Sequence, residues 1–271
     1  MTMATSRALL DALQLPDSAR VDQRVPKKLL LENGAPTASD KRLITDAIEE
    51  IQWLAALKPN TIGVPSYRDA QREYLEIAVL GVTLRGAVKP ASLARLAELV
   101  HRAVPYPVLL LMEGPALTLS LAHKRWAQNE AGKVVLDGDP ASASLSHITE
   151  DVVQDAEAVD RSIAPQIERA FVQSLSIARQ PQTTLHALYQ GWMERVCALQ
   201  AARLTGTYQA DTTPEQAAAR WQALADCARL ENEIDRLRAQ AAKEKQLARQ
   251  VELNLTLKRV QAELAAARRQ L

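Results

Sequence analysis

The spacing of apolar residues changes rhythm along this chain, and the changes mark out its elements. From Ser6 to Leu13 the residues Leu9, Leu10 and Leu13 share one face of a predicted short helix, which Pro16 stops. Asp17 to Pro36 reads as an irregular arm, with Val25-Pro26 fixing the backbone and Glu32-Asn33-Gly34 as a turn signal. Ser39 caps a predicted helix to about Ala47. Ile51, Trp53, Ala55 and Leu57 then alternate as a strand does, and Pro59 ends it. Thr61 to Val64 is expected to be a short extended piece. Glu73 to Leu84 is almost continuously apolar and rich in branched side chains, the pattern of a central strand. Pro90 and Ser92 open a helix over Leu93–Ala103, whose buried stripe is Leu93, Leu96, Leu99 and Val100. Val108–Met112 is another apolar strand. Glu113-Gly114-Pro115 turns the chain into Leu117–Ala122, where Leu117, Leu119 and Leu121 alternate, and Val134–Leu136 adds a last short strand.

After Pro140 helical spacing takes over. Ala141–His147 reads as a Ser/Ala linker, followed by predicted helices over Glu150–Ile163, Ile167–Ala178 and Thr184–Leu204, the last capped by Gly206. Thr213 to Leu271 contains no Gly and only Pro214, at a first-turn position, so it is expected to form one long helix. Leu230, Ile234, Leu237 and Ala241 follow a heptad. Leu253, Leu257, Val260, Leu264, Ala267 and Leu271 follow another, two residues out of phase, with the charged stretch Lys243–Gln250 between them. Such a shift implies a kink, a local change of winding, or different partners on either side. The fold class expected is α+β: a small mixed sheet domain with flanking helices over 1–140, a helical domain over 148–212, and a coiled-coil helix over 213–271. The second stripe, and in it Leu253, Leu257, Val260, Leu264 and Leu271, lacks an evident apolar counterpart within the chain. It is therefore expected to bind another protein or a second copy.

Composition narrows the classes. The chain has 271 residues, 47% of them hydrophobic, so a sizeable core is available, yet its single Phe makes that core aliphatic. A formal net charge of +1 gives no overall preference for nucleic acid or membrane, although Arg229–Leu271 holds ten basic against six acidic residues. Cys197 and Cys227 are far apart in helical pattern, which fits free thiols in a reducing cytoplasm rather than a disulfide framework. No apolar run reaches the roughly 18 residues of a membrane span, and Met1–Ala4 lacks the basic and apolar regions of a signal peptide.

Catalytic templates are missing. There is no Gly-rich phosphate loop, no G-x-S-x-G and no H-E-x-x-H, so no catalytic residues are assigned. His101, His123, His147 and His186 are scattered, so no metal site and no cofactor are expected. Glu76 lies in a strand, but the second acid and lysine of a metal-dependent nuclease do not follow it. The one constellation that stands out is His123-Lys124-Arg125-Trp126 at a strand exit, where Lys124 and Arg125 beside the indole of Trp126 suit phosphate contact and base stacking. Tyr67-Arg68 is a weaker site of the same kind, and Lys27-Lys28 offers two further cations. The corresponding bland reading is a strand end whose Trp packs inward and whose charges are solvated.

Several phrases of this sequence resemble the bacterial domain-of-unknown-function 4391 family: Val25-Pro26-Lys27-Lys28 with Glu32-Asn33-Gly34, Ile51–Leu54 with Lys58–Thr61, Tyr74–Ile77, and Leu121–Arg125. Ala187–Trp192 and Leu199–Gly206 resemble its helical half, so the likeness covers roughly Leu9 to Gly206. The resemblance brings no active site. It implies a genomic setting beside helicases and DNA methyltransferases in restriction-like antiphage systems. The function expected on that basis is a non-catalytic adaptor that docks one of those enzymes through its helical arm, with direct DNA binding and an unrecognised nuclease as alternatives.

Overall fold

The computed structural model describes residues 3–128, 130, 132–145, 163–210 and 213–271. The expected helix Glu150–Ile163 lies, but for Ile163, outside these described residues. The chain forms two compact units, Met1–Val196 and Cys197–Leu271. The fold is mixed α+β, with the sheet in the N-terminal half and helices in the C-terminal half.

The first unit opens with α1 (Met3–Ala12), β1 (Arg20–Arg24), α2 (Lys27–Asn33) and α3 (Ala38–Ala47). There follow β2 (Ile48–Leu57), the short α4 (Pro59–Ile62), β3 (Tyr67–Arg68), β4 (Glu73–Tyr74) and β5 (Ile77–Leu84). Next come α5 (Pro90–Ala103), β6 (Val108–Glu113), β7 (Leu117–Leu121), β8 (Lys124–Trp126), β9 (Val134–Leu136) and β10 (Ala141–Leu145). Two helices, α6 (Ile163–Ser174) and α7 (Leu185–Thr205), complete the described part, and the division between the units falls within α7.

A six-stranded sheet runs in the order β1-β2-β5-β6-β7-β10. Only β5 and β6 are parallel, and α5 supplies the crossover that such a pair requires. Val108, Leu109, Leu110 and Leu111 are all fully buried, so β6 is covered on both faces, as its unbroken apolar run demands. On one face Leu30, Ile44, Leu96, Leu99 and Val100 from α2, α3 and α5 pack with Ile48, Ile51, Leu80, Val82 and Leu110 from the strands. Gly34 makes the approach of α2 to α5 possible, since a Cβ there would lie 2.5 Å from the carbonyl oxygen of Leu99. Thr37 caps α3 by accepting from the Asp40 amide, two residues before the Ser39 expected for that role.

The arm expected over Asp17–Pro36 is instead a strand and a helix. Pro26 stands at the helix N-cap, where the fixed φ starts α2 rather than breaking it. Pro59 likewise begins α4 where an extended piece was expected, with Gly63 closing the turn at φ 73°. The long strand expected over Glu73–Leu84 is divided. Asp69 accepts from the amides of Gln71 and Arg72 at 2.7 and 2.6 Å, turning the chain so that Tyr67 pairs with Tyr74 and Arg68 with Glu73. Ala141–Leu145 is no linker. It pairs residue for residue with β7, and the Ser142 hydroxyl donates to Ser120 Oγ at 2.9 Å, so the sheet continues past Pro140. The helices up to Val196 belong with the sheet, because Tyr189 and Trp192 are fully buried and bond backbone carbonyls at Val108 and Leu175.

The largest departure is at the end of the chain. Thr213–Leu271 forms not one helix but two, α8 (Pro214–Lys243) and α9 (Leu247–Arg268), folded back on each other. Thr213 caps α8 with a reciprocal bond pair to Gln216. Glu244 accepts from the amides of Lys245 and Gln246, ordering the reversal without Gly or Pro. The two out-of-phase stripes then meet: Cys227, Leu230, Ile234 and Leu237 of α8 pack with Val260, Leu264 and Ala267 of α9. Arg268 reaches back to Glu231 at 2.8 Å.

Ile234 is 4% exposed within this core. Ile234→Ala should therefore cost about 2–4 kcal/mol, whereas Asp235→Ala beside it, on the solvent face, should cost about 0.5 kcal/mol or less. Urea unfolding followed by circular dichroism separates the two, and equal costs would show that the stripe is not the core of the hairpin.

Candidate functional site

The strand exit singled out by its basic residues lies at the end of the sheet where β7 leaves Leu121. A network of aromatic and polar side chains holds that exit. Tyr189 of α7 accepts from the Ala122 amide at 2.8 Å and donates to the Val108 carbonyl at 2.7 Å, tying β7 to β6 just where their ladder stops. Burial pushes its phenol well above the ordinary range. Tyr74, also raised by burial, donates to His123 Nδ1 at 2.5 Å. With Nδ1 accepting, His123 Nε2 carries the proton and donates to Gln190 Oε1 at 2.6 Å, and Gln190 in turn donates to Glu194 at 3.0 Å. Burial pulls the His123 imidazole down to about 4, so it is neutral with both ring nitrogens engaged. His186 stacks between His123 and Tyr67, with ring centroids 5.3 and 4.8 Å away.

The basic residues next to this network are less free than the sequence implies. Lys124 is 3% exposed. Its ammonium donates to the carbonyl of His101 at 2.7 Å and to that of Val104, capping the C-terminal end of α5. Burial draws the amine down to about 7. Lys124 is thus a structural cation and not a phosphate contact. The physical reason is that helix-end carbonyls inside the fold need donors, and a lysine stem can reach them through apolar surroundings. Beneath it, His101 is fully buried against Ser120 Oγ at 3.0 Å and is held to about 3 by burial and by Lys124.

Arg125 pairs with Asp137 at 3.5 Å, and Arg72 takes the same carboxylate at 2.6 Å. Arg68 lies 3.3 Å from Glu73. Trp126 receives its place from the Gln71 carbonyl, to which its amide donates at 2.7 Å, so the β3–β4 hairpin is joined to the β8–β9 ribbon. Trp126, Leu75, Tyr106 and Pro105, with Glu73 and Arg125, line a cleft of about 200 Å³. The structure therefore brings Arg125 and Trp126 into one cleft, with Arg68 reaching only its edge through Glu73, and each of the two arginines already faces a carboxylate. Lys27 and Lys28 are elsewhere: Lys27 donates to the Ile48 carbonyl at the far end of β2, and Lys28 pairs loosely with Glu32 at 3.6 Å. Glu76, expected within a strand, lies between β4 and β5 and is ion-paired with Lys58 at 3.0 Å. Among the described residues no group of three or more His, Cys, Asp or Glu is placed to hold a metal ion.

In the second unit, Leu253, Leu257 and Leu271 pack beside the core that Val260 and Leu264 help form, so the stripe expected to await a partner is covered by α8. Leu247, Val251 and Leu255, on the opposite face of α9, are exposed at 75, 50 and 63%. Sequence reasoning passed over them because the heptad led to the inward set. It also missed the assembly of Tyr67, Tyr74, His123, His186 and Tyr189, whose members come from distant segments that no spacing rule connects.

Comparison with protein families matches residues 13–264, nearly the whole chain, to the family described as Domain of unknown function (DUF4391). The chain belongs to that family. The resemblance carried by Val25–Lys28, Tyr74–Ile77 and Leu121–Arg125 is thus the correct one. No curated protein and no solved structure matches this DUF4391 chain. Among its described residues no helix is long and apolar enough to cross a membrane.

Two outcomes follow from the burial at the strand exit. Lys124→Ala leaves two helix-end carbonyls without a donor and should lower stability by about 2–4 kcal/mol, while Arg125→Ala should cost about 1 kcal/mol or less; chemical denaturation of the two variants measures the difference. His101 and His123 bind protons more weakly in the folded chain, at about 3 and 4, than at the ordinary value of 6.5. The unfolded chain therefore takes up protons first, and stability should fall as pH drops from about 6.5 toward 4. A flat unfolding free energy over that window would show that the two rings are not held neutral.

Proposed function

We propose that this chain is a non-catalytic accessory subunit that docks a partner protein through its C-terminal helical hairpin. The observation that carries this is the apolar outer face of α9: the hairpin satisfies its own core and still leaves Leu247, Val251 and Leu255 in water at four-residue intervals. The family's resemblance-based setting supplies the class of partner, a helicase or DNA methyltransferase of a bacterial antiphage system, and the buried thiols Cys197 and Cys227, not joined in a disulfide, suit a cytoplasmic location. Direct DNA contact through Lys124–Trp126 gains little support, since Lys124 is committed to α5 and Arg125 and Arg68 face Asp137 and Glu73.

The hairpin sets how the proposal is tested. Removing only residues 251–271 would strip the cover from Leu230, Ile234 and Leu237 and confuse docking with misfolding. Removing 213–271 takes away both helices of the hairpin and leaves α7 whole. That deletion should abolish co-purification with a helicase or methyltransferase of the same system while the sheet unit keeps its cooperative melting. Full co-purification of the shortened chain would overturn the docking role of the hairpin.

A further inference from the structure

We infer that the outer face of α9 is occupied by a second copy of this chain, packed antiparallel about a twofold axis at Leu255. The inference rests on the docking reading and narrows it, naming what covers the apolar face before any enzyme partner is met.

The face is asymmetric along its length in a way that suits only a reversed neighbour. Its N-terminal half carries the large side chains Leu247, Val251 and Leu255, and its C-terminal half carries the small, exposed Ala262 and Ala265, with Lys258 between. At about 100° and 1.5 Å per residue, all six lie within roughly 40° of one line on the helix, opposite Val260 and Leu264. A parallel copy would set large against large and small against small, leaving gaps at one end. An antiparallel copy sets large against small. With the twofold at Leu255, the two Leu255 side chains meet on the axis. Val251 then lies at the level between Lys258 and Ala262 of the second copy, and Leu247 at the level between its Ala262 and Ala265. Such a contact is isologous and closes at two subunits.

Charge placement agrees independently. Glu252 and Arg259 lie on the same flank of this face, and an antiparallel twofold keeps like flanks together. Glu252 of each copy therefore stands opposite Arg259 of the other, giving two ion pairs by symmetry. Arg259 is available for this, because its pair with Glu263 is exposed and loose at 3.7 Å. On the parallel alternative opposite flanks meet, so Glu252 and Arg259 of one copy do not face those of the other and neither ion pair forms.

Sedimentation equilibrium of the isolated full chain tests the arrangement without any enzyme partner. The wild-type chain should be a dimer at micromolar concentration. Leu255→Glu should raise the dissociation constant at least tenfold, roughly 1.4 kcal/mol or more, with helicity unchanged because Leu255 lies outside the hairpin core. Glu252→Arg and Arg259→Glu should each weaken the dimer, and the two together should restore it, since the ion pairs reform with signs exchanged. A chain that is monomeric throughout, a dimer indifferent to Leu255→Glu, or a double variant weaker than both singles would each overturn the inference. A monomeric chain that still lost its enzyme partner on Leu255→Glu would overturn the second copy while leaving the docking role standing.

Discussion

An apolar stripe on a helix in water has to be covered, and the nearest cover decides the architecture. Here the stripe of Val260, Leu264 and Ala267 finds Leu230, Ile234 and Leu237 a few turns upstream, so the terminal stretch doubles back instead of extending. Burying each such side chain is worth on the order of 1.5–3 kcal/mol, far more than the helix hydrogen bonds lost at a three-residue reversal. The same requirement shapes the first unit. The apolar runs of β5 and β6 need both faces covered, and α2, α3 and α5 answer on one of them.

At three places where the core meets polar groups, the chain satisfies them internally. The end of the sheet between β6 and β7 is closed by the Tyr189 hydroxyl, the His123 imidazole is fixed between Tyr74 and Gln190, and the end of α5 is finished by the Lys124 ammonium. Each of these would be costly as an isolated buried group and is acceptable because a partner is in place. The segment that looks like a basic binding patch is in good part the polar stitching of the fold.

Much of the architecture was legible from residue spacing. The succession of strand, helix and strand now seen over Ile77–Leu84, Pro90–Ala103 and Val108–Glu113 follows from apolar runs and helical periodicity, whereas their parallel pairing does not. Ala141–Leu145 did not, because Ala-Ser-Ala-Ser-Leu has neither bulk nor branching; its strand state comes from pairing with β7. The reversal at Glu244–Gln246 did not either, since no Gly or Pro marks it and the change of heptad phase was the single trace it left. Lys124 was misjudged for a simpler reason: a sequence shows a charge but not the carbonyls waiting for it. Of the terminal helix, the apolar stripe was found, but its cover by α8 was not, because the reversal that brings the two stripes together left no turn residue in the sequence.

The fold-back also shortens the reach of the chain. A continuous helix over these residues would extend roughly 85 Å, whereas the longer limb, α8 with 30 residues, extends about 45 Å. Leu271 packs back beside the core shared with α8 instead of marking a distant end. The closed end of the hairpin is the turn at Glu244–Gln246, and Leu247, the most exposed large apolar residue among those described, comes directly after it. A group fused to the C-terminus would therefore sit roughly 35 Å along α9 from Leu247.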